Sequence, residues 1–219
     1  MDRKIAFSVK KARAVQSIIA RKVVEEDRIN YPISKVAGID VTYREGKAIA
    51  VAVVLDSQTL KPLDVGVSVM KPIIPYIPTL LAFREVGPVA AAIKKLSVSF
   101  DLLFVDGNGR LHPYRAGFAC HIGVALDVPT IGVAKKLLCG RIGEWKGDRA
   151  PVYLDDEVVG MALKTTKRAK PIYVSVGHKV SLETAVKLTL WYARGRKLPI
   201  PLVLAHQLTQ QEAKKILTG

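Results

Sequence analysis

One stretch restricts the folds open to this chain more than any other, Leu102-Leu-Phe-Val-Asp-Gly-Asn-Gly-Arg-Leu-His-Pro-Tyr-Arg-Ala-Gly-Phe-Ala-Cys-His-Ile-Gly-Val-Ala125. Four apolar residues of strand character meet a carboxylate at Asp106. The chain then breaks on Gly107 and Gly109 and presents His112 and Arg115 before a small-residue helix pattern. A carboxylate at the mouth of a buried strand, followed by a loop that other groups can approach closely, is where α/β proteins commonly place metal and substrate chemistry.

The flanking sequence sets that stretch in a mixed sheet. Upstream, Val36-Ala-Gly-Ile-Asp-Val-Thr42 and Ala48 to Leu55 are β-branched or apolar runs joined by Arg44-Glu-Gly-Lys47, which predicts a hairpin. A third strand over about Asp64 to Met70 extends it to an antiparallel meander. Proline at the first turn places the start of a helix at Gly87-Pro88, running to Leu96, with Glu85 on its approach. A second helix, Ala116 to Leu126, leads into strand Thr130 to Ala134, so parallel strands add to the meander through right-handed crossovers. The rest is less regular: a hairpin of Pro151 to Leu154 with Glu157 to Leu163, a strand over Pro171 to Val176, a helix from Ser181 to Ala193 capped by Ser181, and a helix from Leu202 to Leu217. Near the start, Lys10 to Glu26 reads as an amphipathic helix with Val15, Ile18, Ile19 and Val23 on its apolar stripe. The expected class is α/β with one domain over residues 1–219.

Between the meander and the first of these crossover helices, Lys71-Pro-Ile-Ile-Pro-Tyr-Ile-Pro78 holds three prolines in eight residues, which rules out regular helix or central strand and predicts a stiff exposed loop carrying Tyr76. Charge supplies the partner class. Lys and Arg number 34 against 19 Asp and Glu, for a formal +15, which points to a polyanion and first of all to nucleic acid. From Gly160 to Lys197 there are nine Lys and Arg and one acid, a local +8, so the positive field is patterned. Cys120 and Cys139 have no ligand-like spacing, which argues against a zinc site or a disulfide framework. No apolar run is long enough to span a bilayer and the N-terminus lacks a signal core, so a cytoplasmic protein without membrane association is expected.

The chemistry follows from two aspartates. If the strands bearing Asp40 and Asp106 are neighbours, about 4.8 Å apart, two carboxylates pointing to the same side can share one divalent ion. Magnesium takes one or two protein carboxylates and completes its shell with water and substrate phosphate, which suits phosphodiester hydrolysis. Ile39 and Val41 flank Asp40, and a carboxylate buried among apolar side chains is costly unless something cationic satisfies it.

Seven pieces of sequence taken together resemble the endonuclease V family: Val36 to Asp40, Pro75 to Pro78 with Phe83 to Glu85, Val105 to Pro113, Gly117 to Gly123, Thr130 to Lys135, Ser175 to His178, and Ala205-His206. They occur in the family's order and spacing over about Lys35 to Gln207. The resemblance implies a ribonuclease H-like mixed sheet flanked by helices, and a Mg²⁺-dependent nuclease in which Mn²⁺ can substitute. It further implies cleavage of DNA at the second phosphodiester bond 3′ to deoxyinosine by a monomer. It assigns Asp40 and Asp106 to metal, and Glu85, Lys135 and His206 to the catalytic centre with them. It places Tyr76 as a wedge in the duplex, Leu81, Gly107, Gly117 and Phe118 around the flipped hypoxanthine, and His112 near the substrate.

Two departures from the family pattern stand out. Thr79 replaces a frequent glycine after the proline-tyrosine-isoleucine-proline run, which would stiffen the wedge or narrow the lesion pocket. Pro199-Ile-Pro201-Leu-Val-Leu precedes Ala205-His206 in place of a charged run. Three alternatives remain open from sequence: the same chemistry on inosine in RNA, another ribonuclease H-like nuclease such as a junction resolvase, and a non-catalytic nucleic-acid-binding module.

Overall fold

The computed structural model describes residues 7–218; the segment read above for a signal core lies almost wholly outside them. Helix α1 spans Val9–Lys22. It is followed by strands β1 (Lys35–Arg44), β2 (Lys47–Asp56) and β3 (Pro62–Met70), helix α2 (Leu81–Ile93), strand β4 (Leu102–Asp106), helix α3 (Phe118–Leu126) and strand β5 (Thr130–Ala134). Then come strands β6 (Arg141–Ile142), β7 (Arg149–Leu154), β8 (Glu157–Leu163) and β9 (Ile172–His178), and helices α4 (Leu182–Ala193) and α5 (Ile200–Thr218). The strands form one sheet in the order β3-β2-β1-β4-β5-β9-β8-β7-β6.

The first half follows the sequence pattern. β1, β2 and β3 pair antiparallel, with Glu45 and Gly46 both at positive φ (49° and 68°) in the β1–β2 turn, the backbone twist that a two-residue hairpin needs. β4 joins β1 in parallel and β5 joins β4 in parallel, as the crossover helices require. β9 returns antiparallel to β5 and leads out to the β8–β7–β6 meander, of which β6 was not anticipated.

The sheet is covered on both faces. Val36, Phe104, Ile131, Val133 and Val174 point to the side packed by α4 and α5, while Ala37, Ile39, Leu103 and Val105 point to α2 and α3. Leu111 nucleates a third cluster with Ala150, Val152 and Ala162. α5 lies unusually close to β1: a Cβ built on Gly38 would sit 2.3 Å from the Pro201 carbonyl oxygen, so only glycine permits the approach.

Two expectations are corrected. α2 begins at Leu81, not at Gly87, so Glu85 is a helical residue and Pro88 sits inside the helix, where it cannot donate to the Arg84 carbonyl. In α1 the buried residues are Ala12 and Gln16, whereas Val15 and Ile18 of the expected apolar stripe are exposed. The helix turns a polar residue inward because, as shown below, that residue has a partner there.

Candidate active site and nucleic-acid cleft

Strand alternation sets the acids. On β1, Val36, Gly38 and Asp40 share the α5 face; on β4, Phe104 and Asp106 do; on β5, Ile131 and Val133 do, and Lys135 follows in phase. The β1–β4 register pairs Ile39 with Val105, so Asp40 and Asp106 stand side by side one residue further on, with Asp106 in hydrogen-bond reach of Asp40. Asp40 is buried. Its Oδ2 accepts from the Thr209 hydroxyl at 2.5 Å and lies 3.0 Å from His206 Nδ1, both from α5, where a spacing of three residues puts two side chains on one helix face. Lys135 Nζ donates to Asp106 Oδ2 at 2.5 Å.

Glu85 reaches the same end of the sheet from α2, on the opposite face. Burial is the main reason its carboxyl is pushed up to about 7, and the nearby Asp40 and Asp106 add to it against a hydrogen bond from Tyr43. Tyr43 Oη donates to Glu85 Oε1 at 3.1 Å, and the Arg84 guanidinium lies over the Tyr43 ring at 4.6 Å. Burial, followed by the Glu85 charge, pushes the Tyr43 phenol up to about 12, so it remains a donor. Asp106 is also raised, chiefly by burial, with Lys135 opposing. Three carboxyls crowded at one desolvated sheet end, two of them titrating high, form a donor set short of positive charge. The five residues expected at the catalytic centre are therefore together. Thr209 and Tyr43 belong with them and had not been singled out; the i, i+3 relation of Thr209 to His206 was the available signal.

These side chains fit a divalent ion of the magnesium kind in donor chemistry: two adjacent carboxylates offer oxygen, and water and phosphate would supply the remaining ligands. Among the described residues no group of three or more His, Cys, Asp or Glu side chains is placed to hold a metal ion, so the protein donors for such an ion would be the two aspartates.

Beside the acids opens a cleft of about 110 Å³ lined by Leu81, Gly107, Gly117 and Phe118, the four residues expected around the flipped base, with His112 and Tyr76, expected near the substrate and as the wedge, and with Thr79, Ala82, Asn108, Ala116 and Leu138. Gly107 follows Asp106 directly, so the cleft wall and the acid pair are continuous in the chain. A Cβ on Gly117 would meet the Asn108 carbonyl oxygen at 2.3 Å, which locks the loop against the start of α3. Tyr76 is exposed at 66%, ready to meet a partner rather than packed on its prolines. His112 is not a free ligand. Its Nδ1 accepts from the Tyr114 amide, which leaves Nε2 to donate to the Thr79 carbonyl at 3.2 Å, and burial pushes its pKa down to about 4.

The basic segment also maps to this end of the molecule. Leu163 pairs with Ile172 and Ala134 with Tyr173, so the β8–β9 connection with Lys164, Lys167, Arg168 and Lys170 lies at the same sheet end as Lys135, two strands across. Thr165 Oγ1 donates to the Lys197 carbonyl, tying this loop to the basic turn between α4 and α5.

Residues 17–207 match the family model for endonuclease V. The chain belongs to the endonuclease V family. It is 52% identical over 201 residues to endonuclease V from Thermofilum pendens, covering 91% of this chain and 87% of the relative. The crystal structure of endonuclease V from Streptomyces avermitilis superposes with a TM-score of 0.89 at 36% identity, covering 96% of this chain and 95% of that one. Endonuclease V from Ciona intestinalis, crystallised with a 24mer DNA containing an inosine followed by a ribo-adenosine, superposes with a TM-score of 0.83 at 29% identity over 95% and 98% of the two chains. The protein is thus an endonuclease with a mixed, helix-flanked sheet, and the residues that the sequence resemblance singles out are gathered at one end of that sheet. Among the described residues, no helix is long and apolar enough to cross a membrane.

Proposed function

We propose that this endonuclease V incises DNA containing deoxyinosine at the second phosphodiester bond 3′ to the lesion, using a divalent ion held by Asp40 and Asp106. The observation that carries the reading is the continuity of cleft and acids at Asp106-Gly107: a base received in the cleft brings its own strand to the carboxylates. The relative from Ciona intestinalis was crystallised on inosine-containing DNA, which supports the same substrate here.

Mg²⁺, or Mn²⁺ in its place, supplies Lewis-acid polarisation of the scissile phosphate. The protein's residues do the rest. Glu85, with a carboxyl near 7, accepts the proton of the attacking water at Oε2 while Tyr43 holds Oε1. His206 and Thr209 fix the rotamer of Asp40. Lys135, shared with Asp106, places an ammonium where negative charge builds on the phosphate oxygens. Water adds to phosphorus as its proton passes to Glu85, the bond from phosphorus to the 3′ oxygen breaks, that oxygen takes a proton from solvent water, and the products are a 3′-hydroxyl and a 5′-phosphate. Tyr76 fills the gap in the duplex left by the flipped base; the stiffness of its proline loop limits the ordering cost of that insertion. The proposed active species is a single copy of the chain.

Incubating the protein with an inosine-bearing duplex and Mg²⁺ tests this. A single nick two bonds 3′ to the lesion, lost in Asp106→Ala, is expected; intact strands, or nicking that survives Asp106→Ala, refute it. Placing ribose rather than deoxyribose 3′ to the inosine, as in the Ciona intestinalis complex, tells DNA from RNA preference by relative rate.

A further inference from the structure

Thr79 occupies a backbone conformation that its side chain opposes. Its φ is +66°, in the left-handed region that glycine enters freely and β-branched residues avoid. Such a residue persists only where its surroundings hold it, and here they converge from helix α1 and from the loop after β4. Gln16 Nε2 of α1 donates to the Thr79 carbonyl at 2.7 Å, and His112 Nε2 donates to the same oxygen at 3.2 Å. Arg13 Nη2 donates to Thr79 Oγ1 at 2.7 Å, and that hydroxyl in turn donates to the Pro78 carbonyl. Arg13 is itself fixed, its Nη1 donating to Gln16 Oε1 at 2.7 Å and its guanidinium lying 4.0 Å above the Tyr114 ring. Gln16 is 1% exposed, which explains why α1 turns a polar residue inward in place of its apolar stripe.

The position of Thr79 gives this arrangement its consequence. It lines the cleft, and it is the joint between the proline loop carrying Tyr76 and helix α2, which carries Leu81 of the cleft and Glu85 of the acid cluster. The other end of the loop is gripped too, since Arg84 Nη1 of α2 donates to the Ile74 carbonyl at 2.6 Å. With both ends held, the aperture between Tyr76 and the Gly107–Gly117 wall is set before any nucleic acid arrives.

We infer that Arg13 and Gln16 of α1, acting through the left-handed Thr79, are positioning residues that set the aperture of the base-receiving cleft and so determine lesion affinity. The inference rests on the proposed reading of the cleft as the site for a flipped base. Neither side chain lines the cleft; both act through Thr79.

The test uses the full chain as wild type, Gln16→Ala, Arg13→Ala, Thr79→Gly and the double variant Gln16→Ala/Thr79→Gly. Amide hydrogen exchange over residues 71–81 is measured in the free protein. KM and kcat are measured on inosine-bearing duplex, and Kd on both inosine-bearing and lesion-free duplex, with Ca²⁺ in place of Mg²⁺ for binding. Gln16→Ala and Arg13→Ala are expected to speed exchange in that segment and to raise KM for the inosine duplex about tenfold with kcat within about threefold, while lesion-free affinity changes less than twofold. Thr79→Gly in the Gln16→Ala background should recover at least half of the lost affinity, because glycine holds the left-handed turn without help; a general loss of helix packing would not be recovered this way. Unchanged exchange and KM in both single variants overturn the inference. So does an equal loss of affinity for both duplexes, which would make Arg13 an ordinary phosphate contact, and so does absence of recovery in the double variant. If the wild type itself fails to distinguish the two duplexes, the proposed substrate is wrong, whereas the exchange data still decide whether α1 holds the loop.

Discussion

Replacing Glu85 with Gln should make the protein more stable at neutral pH and change how its stability depends on pH. The Glu85 carboxyl ionises near 7 in the folded chain, against 4.5 for the free group, mainly because it is buried and then because Asp40 and Asp106 lie near it. Its folded pKa is raised, so between about pH 4.5 and 7 the folded chain holds a proton that the unfolded chain has released, and stability falls as pH rises through that window. A shift of roughly 2.5 units at about 1.4 kcal/mol each gives on the order of 3 kcal/mol lost by pH 8. Glu85→Gln keeps the shape and the Tyr43 contact but removes this titration, so the difference in unfolding free energy between variant and wild type should grow by about 2–3 kcal/mol from pH 5 to pH 8. Titrating groups remote from Glu85 cancel in the difference. Urea unfolding at half-unit pH steps in EDTA measures it, and adding Mg²⁺ at pH 8 should narrow the gap, because a bound cation compensates the ionised acids that the variant partly lacks. Parallel stability curves for the two proteins would show that Glu85 ionises as an ordinary surface acid and would remove the basis for assigning it the water's proton.

Acid should unfold the protein through its histidines. His112 and His121 are both pushed down to about 4 by burial, so their stabilising effect is complete above about pH 6.5 and is lost as pH falls towards 4. His121 Nε2 is buried without a partner, so His121→Leu should flatten the acid limb by about 2 kcal/mol in a circular-dichroism titration. Thr209→Val leaves the size of the side chain unchanged but removes the hydroxyl bonded to Asp40, and should weaken Mg²⁺ binding about tenfold by calorimetry with little change in Tm. Lys167→Ala combined with Arg168→Ala should lower the slope of log affinity against log salt by about 1 to 2 without altering the preference for inosine over adenine. A changed preference would place that loop at the base instead of the backbone.

The acid pair was legible in the sequence because strand alternation is rigid. Once β1 and β4 are neighbours in register, Asp40 and Asp106 share a face, and Val36, four positions before Asp40, and Phe104, two before Asp106, say which face it is. Glu85 was placed less well for a physical reason. Gly87-Pro88 has the form of a helix start, and only tertiary packing of Ala82, Glu85 and Val89 against the sheet extends α2 through the proline. α1 failed in the opposite direction. Its hydrophobic period is present, but the helix is rotated so that Gln16, not Val15 or Ile18, faces inward, because the residue it meets is a backbone carbonyl in a left-handed turn. Periodicity reports where apolar surface can be buried; it carries no information about a distant carbonyl that needs a donor.

That difference separates the two halves of the site. The catalytic centre is built from strand ends and one helix face, so its residues follow from period and register. The cleft is built from a joint, Thr79, and a glycine wall, Gly107 to Gly117, whose shapes depend on φ angles and on contacts from α1. Substitution at Gly107 exposes the division. A Cβ there would rest in van der Waals contact with Phe118, 3.4 Å from its Cβ and Cδ1, and would add a methyl group to the cleft wall. Gly107→Ala should therefore reduce affinity for inosine-bearing duplex several-fold by narrowing the cleft, while Mg²⁺ binding, which depends on the carboxylates of Asp106 and Asp40, stays within twofold. Loss of Mg²⁺ binding in Gly107→Ala would show that the loop holds Asp106 in place, and that recognition and chemistry share one support rather than adjoining ones.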